Sequence, residues 1–170
     1  MAANMMYWFY SSTGPKKGLY VLENGIIELD FSNKSDAEKI SKLNHRQIIG
    51  SGFLGADNLW AGSYTSPRGF EVYFPEKFDT SENFAKFAKQ QWQEAVEQEA
   101  SIQADPVALL ERCLKEHDWY SAYSDDHSNW VRGNRQYKEI IDLLKKLPLE
   151  KAQELYSKYA PKDFKFPTLE

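Results

Sequence analysis

The sequence has one cysteine, no apolar run of membrane-spanning length and no excess of basic residues, and each shortage removes a class of protein. A lone thiol cannot close an intramolecular disulfide. Cys113, set between Leu109, Leu110 and Leu114, reads instead as a small buried apolar residue suited to a reducing compartment. No stretch approaches the about 18 consecutive apolar residues of a spanning helix, which argues against a membrane partner. Lys and Arg number 21 against 25 Asp and Glu, mixed along the chain, for a net charge of −4. Such a balance supplies no field to gather nucleic acid or an anionic membrane, and too little acid to mimic DNA. Paired thiols, a serine nucleophile elbow and a phosphate loop are also missing. The residues from Met1 to Ser12 lack the basic flank and apolar length of a signal peptide, so a cytoplasmic location is expected; Met5 and Met6 offer alternative starts to Met1.

What is present suits an ordinary folded domain: 170 residues, 42% hydrophobic and 27% charged, without internal repeat or low-complexity linker. The first half reads as strands. Met6 to Tyr10 is aromatic and apolar, and the Ser, Thr, Gly and Pro between Ser11 and Lys17 favour a loop. Gly18 to Leu22 and Ile26 to Phe31 flank Asn24-Gly25, a dipeptide that tolerates the positive φ of a tight hairpin. Ser35-Asp36 is expected to cap a short helix through Leu43, with Ala37, Ile40 and Leu43 on one face. Arg46 to Ile49, Leu59 to Tyr64 and Phe70 to Phe74 are further strands, the last two joined by Thr65-Ser66-Pro67-Arg68-Gly69. No crossover helices separate them, so an antiparallel sheet is expected.

The second half reads as helices. After Ser81, the residues Phe84, Phe87, Ala88, Trp92, Ala95, Val96 and Ile102 form one stripe of a long amphipathic helix. Asp105-Pro106 restarts the pattern, since Asp accepts from first-turn amides and Pro gives up an amide that had no partner. Trp130, Tyr137, Ile140, Ile141, Leu144 and Leu147 mark a third helix, and Leu149 to Tyr159 a fourth between Pro148 and Pro161. Phe164 and Phe166 are expected to dock back on the body. The fold class is therefore α+β: a β-rich part over residues 1–78 with one short helix, then a bundle of about four helices over 79–170, packed as one compact unit.

The stretch HDWYSAYSDDHSNWVRG, His117 to Gly133, gathers the most chemistry. Its Asp118-Trp119-Tyr120, Tyr123-Ser124-Asp125-Asp126, Trp130 and Gly133, with Leu147-Pro148, Ala152, Leu155 and Tyr159-Ala160-Pro161, resemble a segment of uncharacterised small proteins of phages, prophages and mobile elements. The likeness spans about the last third of the chain and implies a genetic setting, with a host protein as the partner, and no activity. His117-Asp118 also resembles the doublet of HD-type phosphohydrolases. That family needs a further histidine upstream, for which His45 is the only candidate, and an aspartate downstream. A hydrolytic metal site would draw on His117, Asp118, Asp125, Asp126 and His127. On one continuous helix Asp118 and Asp125 would share a face about 10 Å apart, too far to chelate one ion, unless the helix breaks at Ser124. A structural account explains more: Ser124 as N-cap, Asp125 and Asp126 in the first turn, His117 on the apolar stripe of Leu110 and Leu114, and Trp119, Tyr120, Tyr123 and Trp130 packing a corner beside Gly133.

Gly50-Ser51-Gly52-Phe53-Leu54-Gly55 matches GxGxxG, but Gly62 and Pro67 forbid the helix a dinucleotide site needs, so it is expected to be a loop between strands. Tyr7, Phe9, Tyr20, Trp60, Tyr64, Tyr73 and Phe74 near Lys16, Lys17, Arg46 and Arg68 have the composition of a base-stacking sheet, against which the charge balance argues. Protein binding asks least of these residues, because Trp, Tyr and Arg anchor interfaces. Tyr64, Arg68 and Phe70 in one patch, and Trp119, Tyr123 and Trp130 in another, are the candidate contact residues. The expectation is a non-enzymatic protein-binding accessory factor of a phage or mobile element, such as an inhibitor of a host defence or regulatory protein, without cofactor. The alternatives are a small metal-dependent hydrolase and an immunity-type or nucleic-acid-binding module.

Overall fold

A computed structural model describes residues 17–169. The strand expected at 6–10 and most of the loop after it, with Tyr7, Phe9 and Lys16, lie outside them. The chain divides into two compact units after Gln98.

The first unit is a five-stranded antiparallel sheet of order β2-β1-β3-β4-β5. Its strands are β1 (Lys17–Leu22), β2 (Gly25–Asp30), β3 (Ile48–Leu54), β4 (Trp60–Thr65) and β5 (Glu71–Tyr73). The β1–β2 hairpin forms as expected, but its register pairs Leu22 with Gly25, so the turn residues are Glu23 and Asn24. Neither has a positive φ. A short helix, α1 (Lys34–Ser41), follows β2 and is capped by Asn33, whose side chain accepts from the Ser35 amide at 3.1 Å, instead of by Ser35-Asp36. Arg46 and Gln47 belong to a turn of 3-10 helix rather than to β3.

The main correction concerns Gly50 to Leu54, expected as loop and found as the body of the central strand β3, bonded to β1 on one side and β4 on the other. Glycine is poor in strands, so tertiary packing has to supply the reason. It comes from α2 (Ser81–Ala104), whose first turn is capped by Thr80 Oγ1 accepting from the Asn83 amide. Gly52 and Gly62 face each other across β3 and β4. A Cβ on Gly52 would stand 2.9 Å from the Phe84 ring, and one on Gly62 would stand 2.1 Å from the Ser51 carbonyl oxygen. The two missing side chains leave a trough that the Phe84 ring fills, and Phe84 has no exposed surface. Leu19, Val21, Ile49, Trp60, Ala85 and Ala88 complete this core. Ser81 ties the start of α2 to the sheet by donating to Glu28 on β2.

The second unit is built on α3 (Pro106–Glu116), α4 (His127–Leu144) and α5 (Leu149–Tyr159). Asp105 caps α3 as expected, accepting from the amides of Val107 and Ala108. Leu110, Leu114, Trp119, Ile140, Leu143, Leu144, Ala152, Leu155 and Tyr156 make one core. The tail closes it, with Phe164 edge-on to Trp119 at 5.2 Å and Phe166 edge-on to Tyr156 at 5.4 Å. The molecule is thus α+β, an antiparallel sheet followed by four helices. Among the described residues no helix is long and apolar enough to cross a membrane.

Candidate interaction surfaces

The corner between α3 and α4 is held by short polar residues. His117 ends α3 in extended conformation. Ser121, buried, donates from its hydroxyl to the Asp118 carbonyl at 2.6 Å and opens a 3-10 turn, Ser121–Tyr123. Ser124 Oγ then accepts from the Asp126 amide. Asp126, and not Ser124, caps α4 by accepting from the Ser128 amide at 2.8 Å, so the helix begins two residues later than its charge pattern suggests.

This framework sorts the aromatics that the sequence left undivided. Trp119 is only 8% exposed and lies edge-on to His117 at 4.8 Å and to Tyr156 at 5.5 Å, so it belongs to the core and not to the rim with its neighbours. Tyr123 is 77% exposed, Tyr120 56% and Trp130 46%. Phe164 reaches under Tyr120 and Tyr123 at 5.6 and 6.4 Å, and the Tyr120 hydroxyl donates to Asp163. His127 stacks on Trp130 at 5.9 Å, with Val131 exposed beside it. Gly133 is buried on α4. Tyr120, Val131 and Phe164 are surface contributors that periodicity does not single out, because their roles follow from the turn and the returning tail.

The histidines and aspartates of this stretch do not converge. No single helix runs through Asp118 and Asp125; the chain leaves helix at His117 and re-enters it at His127. His117 faces inward, stacked on Tyr137 at 5.9 Å, while Asp118 is exposed and lies 3.9 Å from Arg132. His127 is exposed, as are Asp125 and Asp126. Among the described residues no three His, Cys, Asp or Glu are placed to hold a metal ion. Burial pushes the His117 imidazole below its ordinary value, against the opposing pull of Gln136 and the Asp118 charge. Its Nδ1, the Gln136 Oε1 and the Tyr156 hydroxyl make no hydrogen bond inside this core. Burial, with Tyr137 adjoining, also pushes the Tyr156 phenol up. Such groups favour a neutral imidazole held by packing.

The other candidate patch is the β4–β5 hairpin. Ser66 and Phe70 close it, the Ser66 amide donating to the Phe70 carbonyl at 2.8 Å, and Gly69 takes φ +86°, a conformation that disfavours a side chain. Arg68 stands over the exposed Phe70 ring at 5.5 Å. Tyr64 instead turns to the half-buried Phe74, stacked at 5.9 Å, and joins a set of rings that includes Phe84 and Phe87. Of the described rings weighed for base stacking, Trp60 is buried, Tyr20, Tyr64 and Phe74 are half-buried, and Tyr73 alone is exposed. An open hollow of about 520 Å³ lies beside Phe78 and Phe87. Its polar groups are largely engaged: Lys77 with Asp57, Asn83 with Asp79, and Gln90 with Glu94.

Comparison with protein-family models, with curated proteins and with solved structures returns no significant match.

Proposed function

We propose that this chain is a protein-binding accessory factor that acts without catalysis, in the phage or mobile-element setting that its C-terminal segment resembles, and that it inhibits a host defence or regulatory protein. The observation that carries the binding role is the exposure of Tyr120, Tyr123, Trp130 and Val131 on one short stretch. Exposed aromatics cost solvation in the free protein and supply the anchors of an interface when covered. The turn beneath them is pinned by Ser121, Ser124 and Asp126, so little ordering remains to oppose association. Scattered carboxylates and a buried histidine make no comparable case for hydrolysis.

The test is an affinity capture from a bacterial host using tagged full-length protein, wild type beside Tyr123→Ala and Trp130→Ala. Wild type is expected to retain one stoichiometric protein, and each substitution to weaken that binding by about 2 kcal/mol, roughly 30-fold. A partner retained equally by all three proteins would remove this surface from the account.

A further inference from the structure

The aromatic corner also carries information about the chemistry of what it binds; the inference rests on the binding role above and specifies its partner. Other rings on this chain already have a cation of their own: Arg68 stands over Phe70, and Lys115 and Lys158 lie 5.3 and 4.9 Å from the centre of Tyr159. Tyr123 and Trp130 have none among the described residues. Along the stretch itself the charge is of one sign, although Lys162 and Lys165 flank the Phe164 that packs against Tyr123. From His117 to Val131 the chain has Asp118, Asp125 and Asp126 and neither Lys nor Arg. Arg132, the next cation along, is turned to Asp118 and to the Asn129 carboxamide. Asp126 is occupied as the cap of α4, and Asp163 accepts from Tyr120. Asp125 is exposed and pairs with no cation among the described residues.

These groups lie close together along the chain. The four steps of chain from Tyr123 to His127 span at most about 14 Å, and His127 is already stacked on Trp130. The geometry points to a docking surface for an arginine-bearing segment of the partner protein, its guanidinium laid on the Tyr123 or Trp130 ring and its N–H groups turned to Asp125. Arginine fits better than lysine, since a planar guanidinium stacks on a ring and offers a carboxylate two parallel donors. A phosphate-bearing partner would meet like charge at Asp118, Asp125 and Asp126.

The test uses the full chain and three synthetic peptides of Gly and Ser spaced by arginine, by lysine or by glutamate, with binding followed by fluorescence anisotropy and by chemical shifts of the Trp130 indole. The arginine peptide is expected to bind most tightly, to weaken as salt is raised, and to lose about tenfold in affinity to Asp125→Asn and to Tyr123→Ala. Among the described residues the Asp125 side chain makes no hydrogen bond or ion pair, so an unchanged melting curve for Asp125→Asn shows that the loss is local. Arginine and glutamate peptides binding alike, no arginine binding, or no effect of Asp125→Asn would each overturn the inference. If host capture still depends on Tyr123 and Trp130 in that event, the binding role stands and only the cationic partner falls. Self-association abolished by Tyr123→Ala would make a second copy of the chain the occupant and overturn the inference as well.

Discussion

Around the sheet, the closest packing is made by leaving atoms out: Gly52 and Gly62 make room for one ring, Phe84. Among the last three helices it is made by filling space, with Leu110, Leu114, Ile140, Leu144 and Tyr156 all buried, and polar atoms of His117, Gln136 and Tyr156 enclosed with them. The first core is therefore vulnerable to added volume and the second to added charge. Substitutions and pH can separate these two sensitivities.

The largest effect is expected at Gly62. Gly62→Val places a Cβ against the Ser51 carbonyl, backbone that cannot rotate away, and should cost about 4 kcal/mol or prevent folding. Gly25→Ala, which meets nothing within 4 Å, should fall within about 0.5 kcal/mol of wild type. Equal losses in urea denaturation would erase the contrast. Phe84→Ala comes next, at about 3 to 5 kcal/mol, because it empties the trough without relieving it.

Acid should act on the helical core through His117. Its folded pKa lies below the ordinary value, so the unfolded chain binds the proton more readily. The stability it contributes is fully present above about pH 6.5 and is lost as pH falls through the lowered folded value. Denaturation midpoints between about pH 7.5 and pH 5 should decline more steeply for wild type than for His117→Gln. A parallel decline in both would assign the acid loss to other groups. A small effect is expected at Tyr156→Phe, which removes a buried hydroxyl that has no hydrogen bond among the described residues; it should be neutral or stabilise by up to about 1 kcal/mol. A clear loss would instead establish a bond between this hydroxyl and Tyr137.

Helix boundaries were legible wherever one residue type has one local use. Asp105-Pro106 opens α3 and Pro148 precedes α5 because capping and the missing proline amide act within a single turn. Ser124, Asp125 and Asp126 were ambiguous because three residues in a row can cap, and the corner geometry selects the third. Most of strand β3 was illegible for the opposite reason: Gly52 makes sense only beside Phe84 and Gly50 beside Ala88, more than thirty positions away. The contact surface was half legible. Composition located the aromatics, but Trp119 and Trp130 have the same hydrophobicity, and only the turn at Ser121 sends the first inward and leaves the second exposed. The histidine and aspartates were legible as residues with chemistry, but their mutual distances depend on where the helix breaks.

Trp60 is buried against the sheet and Trp119 among the helices, each under a tenth exposed. An indole emits at longer wavelength once water reaches it, so each half of the chain contains its own optical gauge of integrity. With the remaining tryptophans replaced, the emission of Trp60 would follow the opening of the sheet and that of Trp119 the loosening of the helices, and two colour changes at different denaturant concentrations would show the halves coming apart one after the other.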